Sequence, residues 1–172
     1  MSESSQQSAN TLEIQKLFIQ KQSCQVPHAP GIFQQDLKEV KPETSVEMNL
    51  QNRALGNEIF EVTLTFHITM KWQQQTALSL EITQAGIFKL MGFDEIQRDF
   101  LLGAYCPGIL YPYVRKAISD LTQSAGFLPI TLPPIDFNNA YQQRQKQQPQ
   151  STQSPIAELT PADAPWEKVT VQ

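Results

Sequence analysis

Between Glu58 and Trp72 every second residue is apolar. Phe60, Val62, Leu64, Phe66, Ile68, Met70 and Trp72 alternate with Glu61, Thr63, Thr65, His67, Thr69 and Lys71. Side chains on a strand point alternately to its two faces, so a strand with one buried and one solvated face produces this pattern and a helix does not. The pattern pauses at Gln73-Gln74-Gln75 and resumes with Leu78, Leu80 and Ile82 around Ser79, Glu81 and Thr83. Two such runs about a short polar break predict a long antiparallel hairpin. Val46-x-Met48-x-Leu50 predicts a third strand on the same principle, and Ile14 to Val26, less regularly patterned, a fourth.

The period changes after Gly92. Ile109, Leu110, Val114, Ala117, Ile118, Leu121 and Ala125 recur at three and four, the apolar stripe of a helix of about four turns. Gly126 stands where a left-handed C-cap is wanted, and Pro112 falls early, where a helix tolerates proline. Asp94 is placed to N-cap a shorter helix and Asp136 a last one. Strands first and helices afterwards predict an α+β fold, a four-stranded antiparallel sheet with helices packed on one face.

From Gln142 the chain reads QQRQKQQPQSTQSP and continues to Gln172 with scattered apolar residues. Such a segment buries too little apolar surface to offset the entropy of ordering. Residues 142–172 are therefore expected to be a disordered tail, 1–11 a disordered head, and 12–141 the folded domain. A net charge of −4 gives no basic surface for nucleic acid. No apolar run approaches the ~20 residues of a membrane span. The polar start Met1 to Gln7 lacks the features of a secretory signal, so a cytoplasmic location is expected. Cys24 and Cys106 then read as reduced, buried thiols.

Catalytic signatures are sparse. None of the seven glycines forms a dinucleotide or phosphate-loop motif. His67 lies on the polar face of its strand and reads as a surface residue. Cys24-x3-His28 offers two metal ligands where a structural zinc needs four, so no metal or other cofactor is expected. The carboxylates Glu58, Glu61, Asp94, Glu95 and Asp99 read as solvated or capping groups. The apolar residues, in contrast, exceed what one small core needs. Among them are Phe33, Phe100, Tyr105, Tyr111, Tyr113, Phe127 and Phe137, with the proline-stiffened loop Val26 to Phe33 beside them. A surplus of this kind suggests oligomer interfaces, peptide-binding grooves, or both.

Several segments resemble the SecB family of bacterial protein-export chaperones. They are Val26-Pro27-His28-Ala29-Pro30-Gly31-Ile32-Phe33-Gln34-Gln35-Asp36, Phe60 to Leu64, Gln84 to Phe88, Pro129 to Phe137 and, most densely, Leu102-Gly103-Ala104-Tyr105-Cys106-Pro107-Gly108-Ile109-Leu110-Tyr111-Pro112-Tyr113-Val114-Arg115. The resemblance implies a homotetramer built as a dimer of dimers. It implies ATP-independent binding of unfolded precursor proteins and their delivery to the SecA motor. Pro27, Pro30, Ile32, Phe33, Val46, Met48, Leu50, Phe137 and Tyr141 would line the client groove, although Val46, Met48 and Leu50 also fit an ordinary sheet core. Leu80, Ile82, Gln84, Tyr105, Cys106 and Leu110 would serve the tetramer interface. The SecA-docking positions are Lys21, Gln25, Ser79 and Glu81. Lys21 and Gln25 stand where the family carries acids, and Ser79 where an apolar residue is usual. The tail is neutral rather than acidic, and Ala140, Gln142 and Gln145 replace apolar residues of the last helix. A SecB-like chaperone dedicated to a toxin–antitoxin system is the alternative with the same fold. A small enzyme using an apolar cleft would need a convergent polar set that the sequence lacks.

Overall fold

In the computed structural model, which describes residues 10–34 and 41–147, the expected α+β architecture is present. The strands are β1 (Thr11–Gln25), β2 (Glu43–Gly56), β3 (Ile59–Trp72) and β4 (Gln75–Met91), forming one antiparallel sheet in the order β1-β4-β3-β2. Two residues close each hairpin: Asn57 and Glu58 join β2 to β3, Gln73 and Gln74 join β3 to β4, and all four have positive φ. Such turns match the right-handed twist of the strands they connect. Glu58 thus belongs to a turn, and β4 begins at Gln75, three residues before the apolar pattern resumes.

Cross-strand partners share a face. The register pairs Phe60 with Phe88, Leu64 with Gln84, Phe66 with Ile82 and Ile68 with Leu80, and on the other side Met48 with Phe66 and Leu50 with Leu64. These residues form the apolar face, and Val62, Leu64, Ile68, Leu78 and Ile82 are wholly buried. Burying each such side chain contributes about 1.5–3 kcal/mol. Thr63, Thr65, His67, Thr83 and Glu81 occupy the opposite face.

The helical region covers that apolar face. Helix α1 (Glu95–Phe100) starts at Asp94, whose carboxylate accepts from Gln97 N–H at 2.8 Å while the Gln97 side chain reaches back to Asp94 N–H, a full capping box. It does not stop where the separate short helix was expected to. A π turn over Leu101–Tyr105, in which Cys106 N–H bonds Leu101 O, carries it directly into α2 (Cys106–Ser124). Pro112 therefore sits inside a helix rather than near its start. Helix α2 packs over Gly86 of the sheet, where a Cβ would sit 3.0 Å from Leu110 Cδ2. It ends in a Schellman motif: Gly126 (φ 88°) donates to Gln123 O and Phe127 to Thr122 O.

After a segment without regular structure, Asp136 caps α3 (Phe137–Gln147) by accepting from Asn139 N–H at 3.0 Å. Helix α3 passes the expected boundary at 141, because Tyr141 and Gln145 both bond Asp99 and hold the helix against the π turn. The expected head falls outside the described residues except for Asn10 and Thr11, where β1 begins, and the expected tail falls outside them from residue 148.

Candidate functional site

A shallow apolar cleft opens between the β2 edge, α2 and the segment before α3. Val46 and Met48 of β2, Phe66 of β3, Tyr111 of α2, and Leu132, Pro133 and Ile135 line it. Tyr111 organises this set. Its ring lies 5.9 Å from Phe66 and edge-on to Phe137 at 5.6 Å, and its hydroxyl donates to Pro133 O. Burial pushes its pKa up, against the pull of the nearby Arg115 guanidinium, so the hydroxyl stays a donor. The lining offers contact area and few polar directions, which suits ligands recognised by apolar side chains rather than by one hydrogen-bond pattern.

The sequence-derived groove residues separate into four groups. Val46 and Met48 line the cleft, and Phe137 backs its Tyr111 wall. Leu50 is buried at 7 % exposure beside them without joining the lining. The loop residues lie apart from it: Pro27 and Pro30 are exposed, Ile32 is fully buried, and Phe33 stacks at 5.2 Å on Phe127, which in turn meets Trp72 at 5.6 Å. Tyr141 faces elsewhere. Its ring covers Gly103 of the π turn, meets Phe100 edge-on at 5.4 Å, and its hydroxyl donates to Asp99 Oδ2 at 2.5 Å. Burial first, then that hydrogen bond and the Asp99 charge, push its pKa up to about 12. Sequence reasoning missed Phe66, Tyr111, Leu132, Pro133 and Ile135 as lining. The proline-rich run Pro129 to Ile135 was the available signal.

Most of the residues expected at a tetramer interface lie inside the single chain. Leu80, Ile82, Cys106 and Leu110 are at most 2 % exposed and pack within the chain between sheet and α2, and Gln84 is also buried. Of the six, Tyr105 alone is exposed. The exposed apolar side chains include Ile14 and Ile19 on the β1 edge and Tyr113 on the outer side of α2, the last two flanking an open cleft between β1 and α2.

On the polar face, Lys21, Gln25, Ser79 and Glu81 come together, with Gln25 paired to Ser79 and Ser23 to Glu81. Lys21 Nζ lies 2.7 Å from Glu81, and His67 Nε2 lies 3.9 Å from its other carboxylate oxygen. Lys21 therefore neutralises the Glu81 charge on this face. Among the described residues no three His, Cys, Asp or Glu side chains are grouped so as to hold a metal ion.

Comparison with known proteins gives consistent matches. Residues 5–148 match the family model for the preprotein translocase subunit SecB. The protein-export protein SecB of Methylococcus capsulatus is 42% identical over 155 residues, covering 89% of this chain and 97% of the relative. That of Dechloromonas aromatica is 40% identical over 135 residues, covering 78% and 87%. Among solved structures, the SecB-like chaperone of Mycobacterium tuberculosis in complex with an antitoxin ChAD peptide superposes with a TM-score of 0.56 at 19% identity, over 72% of this chain and 90% of that one, a likeness of fold.

Proposed function

The chain belongs to the SecB family, and from that premise we propose that it is an ATP-independent chaperone that binds unfolded precursor proteins, keeps them competent for translocation and hands them to SecA. The observation that carries this reading is the cleft over Val46, Met48, Phe66 and Tyr111. Apolar burial is non-directional, so such a site accepts many sequences, and a thioether lining repacks around different side chains. Binding the unfolded form in preference to the folded one holds a client open by mass action. The sequence contains no phosphate loop through which nucleotide would drive the cycle.

Self-association as a dimer of dimers is part of the same reading. We assign it to the β1 edge and the outer side of α2, where Ile19 and Tyr113 are 48% and 50% exposed, rather than to the buried Leu80 and Ile82. The proposed SecA surface is the polar sheet face, and the proposed setting is the cytoplasm. The relatives near 40% identity are named protein-export proteins, whereas the antitoxin-bound neighbour is related by fold, so export is the reading adopted.

The test is suppression of aggregation of a chemically denatured client without nucleotide. Wild type is expected to protect at substoichiometric assembly. Val46→Asp places a charge in the cleft at a half-buried position that tolerates it structurally, and is expected to lose most of that protection while the sheet stays folded by circular dichroism. Full protection by the variant would remove the cleft from the mechanism.

A further inference from the structure

The cleft lies at the start of α3, and the rest of the chain leaves from the end of that helix. Phe137 touches the Tyr111 wall, and Gln147 is the last helical residue. At 1.5 Å per residue, the 11 residues of α3 separate the two points by about 16 Å. Residues 148–165 span up to roughly 60 Å when extended, so the C-terminal residues beyond them reach the cleft without strain. Those last residues are unlike the glutamine- and proline-rich stretch before them. Trp166-Glu167-Lys168-Val169-Thr170-Val171 contains one of the chain's two tryptophans and two valines at alternate positions, with no proline. An aromatic side chain and a pair of valines are apolar groups of the kind such a cleft buries.

Charge favours the return path. Residues 148–172 carry Glu158, Asp163 and Glu167 against Lys168, and α3 ends with Arg144 and Lys146. Neither of those cations makes an ion pair among the described residues. A tail running back along α3 brings opposite charges together.

We propose that the chain's own C-terminal segment, Trp166 to Val171, occupies the cleft over Val46, Met48 and Tyr111 when no client is bound. The proposal rests on the reading of this cleft as the client site. A tethered segment acts at an effective concentration of about 1 mM. If its intrinsic dissociation constant lies at roughly 0.1–1 mM, competition weakens apparent client affinity by about two- to tenfold. The segment thereby keeps weak apolar ligands off the cleft, while an extended client with several contacts displaces it.

Full-length Trp72→Phe leaves Trp166 as the sole tryptophan, and costs no hydrogen bond, since Trp72 Nε1 has no partner. Its emission is expected to be blue-shifted relative to a free peptide of residues 161–172, and to return to the peptide's value when a tryptophan-free unfolded polypeptide saturates the cleft. Emission equal to that of the peptide throughout would overturn the proposal, as would a blue shift lost on dilution, which would place the segment on a neighbouring copy. In a second measurement, the full-length triple variant Trp166→Ser/Val169→Ser/Val171→Ser is expected to bind the same polypeptide two- to tenfold more tightly, and unchanged affinity would overturn the competition. Val46→Asp in the Trp72→Phe background separates the two readings. Loss of client binding while Trp166 is solvent-like with and without the added charge removes the tail proposal alone. Retained client binding removes the client site and the proposal with it.

Discussion

Gly103 lies in the π turn with the ring of Tyr141 directly over it, so that a Cβ added there would sit 2.8 Å from Cδ2 and 3.0 Å from Cε2. Gly103→Ala sets two effects against each other. In a free helix the change stabilises by about 1 kcal/mol, because glycine loses more backbone entropy. Here the methyl group must displace a ring, an overpacking cost of about 1–3 kcal/mol. If the ring swings away, the bond to Asp99 goes with it, worth about 1 kcal/mol at this half-exposed site, as does the edge contact with Phe100, about 0.5–1.5 kcal/mol. Set against the propensity gain, either outcome leaves a net loss of up to about 2 kcal/mol on the docking of α3. Amide exchange reads this locally: α3 protection is expected to drop several-fold, by up to about thirtyfold, while β3 and β4 amides keep theirs. The control is Tyr141→Ala, in whose background Gly103→Ala is expected to be neutral or to stabilise by up to about 1 kcal/mol. A Gly103→Ala variant with raised α3 protection in the wild-type background would refute the seating of the ring.

Three more substitution and titration experiments probe the same contacts. Lys21→Asp/Gln25→Glu releases Glu81 from its ion pair and restores acid to the polar face. At about 0.2–1 kcal/mol per exposed pair, binding to the cognate SecA is expected to tighten two- to tenfold and to become more salt-sensitive, and unchanged binding across a salt series would show that this face is not the docking site. Burial pushes the Cys106 thiol up to about 12 from 9.0, and Tyr141 is raised as well. These groups ionise more readily in the unfolded chain, so their contribution is complete below pH 9 and is lost as pH rises towards 12; urea midpoints are expected to fall over that window, and native thiol titration at pH 8 to label Cys24 well before Cys106. Leu80→Asp buries an unpaired charge under α2 and is expected to unfold the chain, whereas Ile19→Asp is expected to leave it folded and shift the assembly to smaller species on a sizing column with light scattering.

Strand β3 is legible in the sequence because its alternation is unbroken over its whole length. Strand β1 is less so for a physical reason: its register against β4 shifts between Ile14 and Lys16 and again between Ile19 and Lys21. Each irregularity resets the parity, so Ile14, Leu17 and Ile19 share a face although their spacing is three and then two. The helical region misleads in the opposite direction. Gly103, Pro107 and Gly108 look like breakers, but a π turn carries the helix past them. The apolar residues of β4 and α2 read as interface because sequence gives no measure of how much apolar surface one long helix consumes. In the cleft, Val46 and Met48 are readable from their strand, whereas Tyr111 and Pro133 meet across 22 positions that no local pattern connects.

The cleft has two kinds of wall. Phe66 and Tyr111 belong to the core and keep their places with it. Leu132, Pro133 and Ile135 belong to a strip in which Pro129, Pro133 and Pro134 each fix φ. A strip restrained in this way cannot bend smoothly around a bulky ligand. It is also pinned from behind, by the buried Ile130 and Leu132 and by the Tyr111 hydroxyl on Pro133 O. Both walls are thus tied to the core, and the free side of the cleft is the β2 edge with Val46 and Met48.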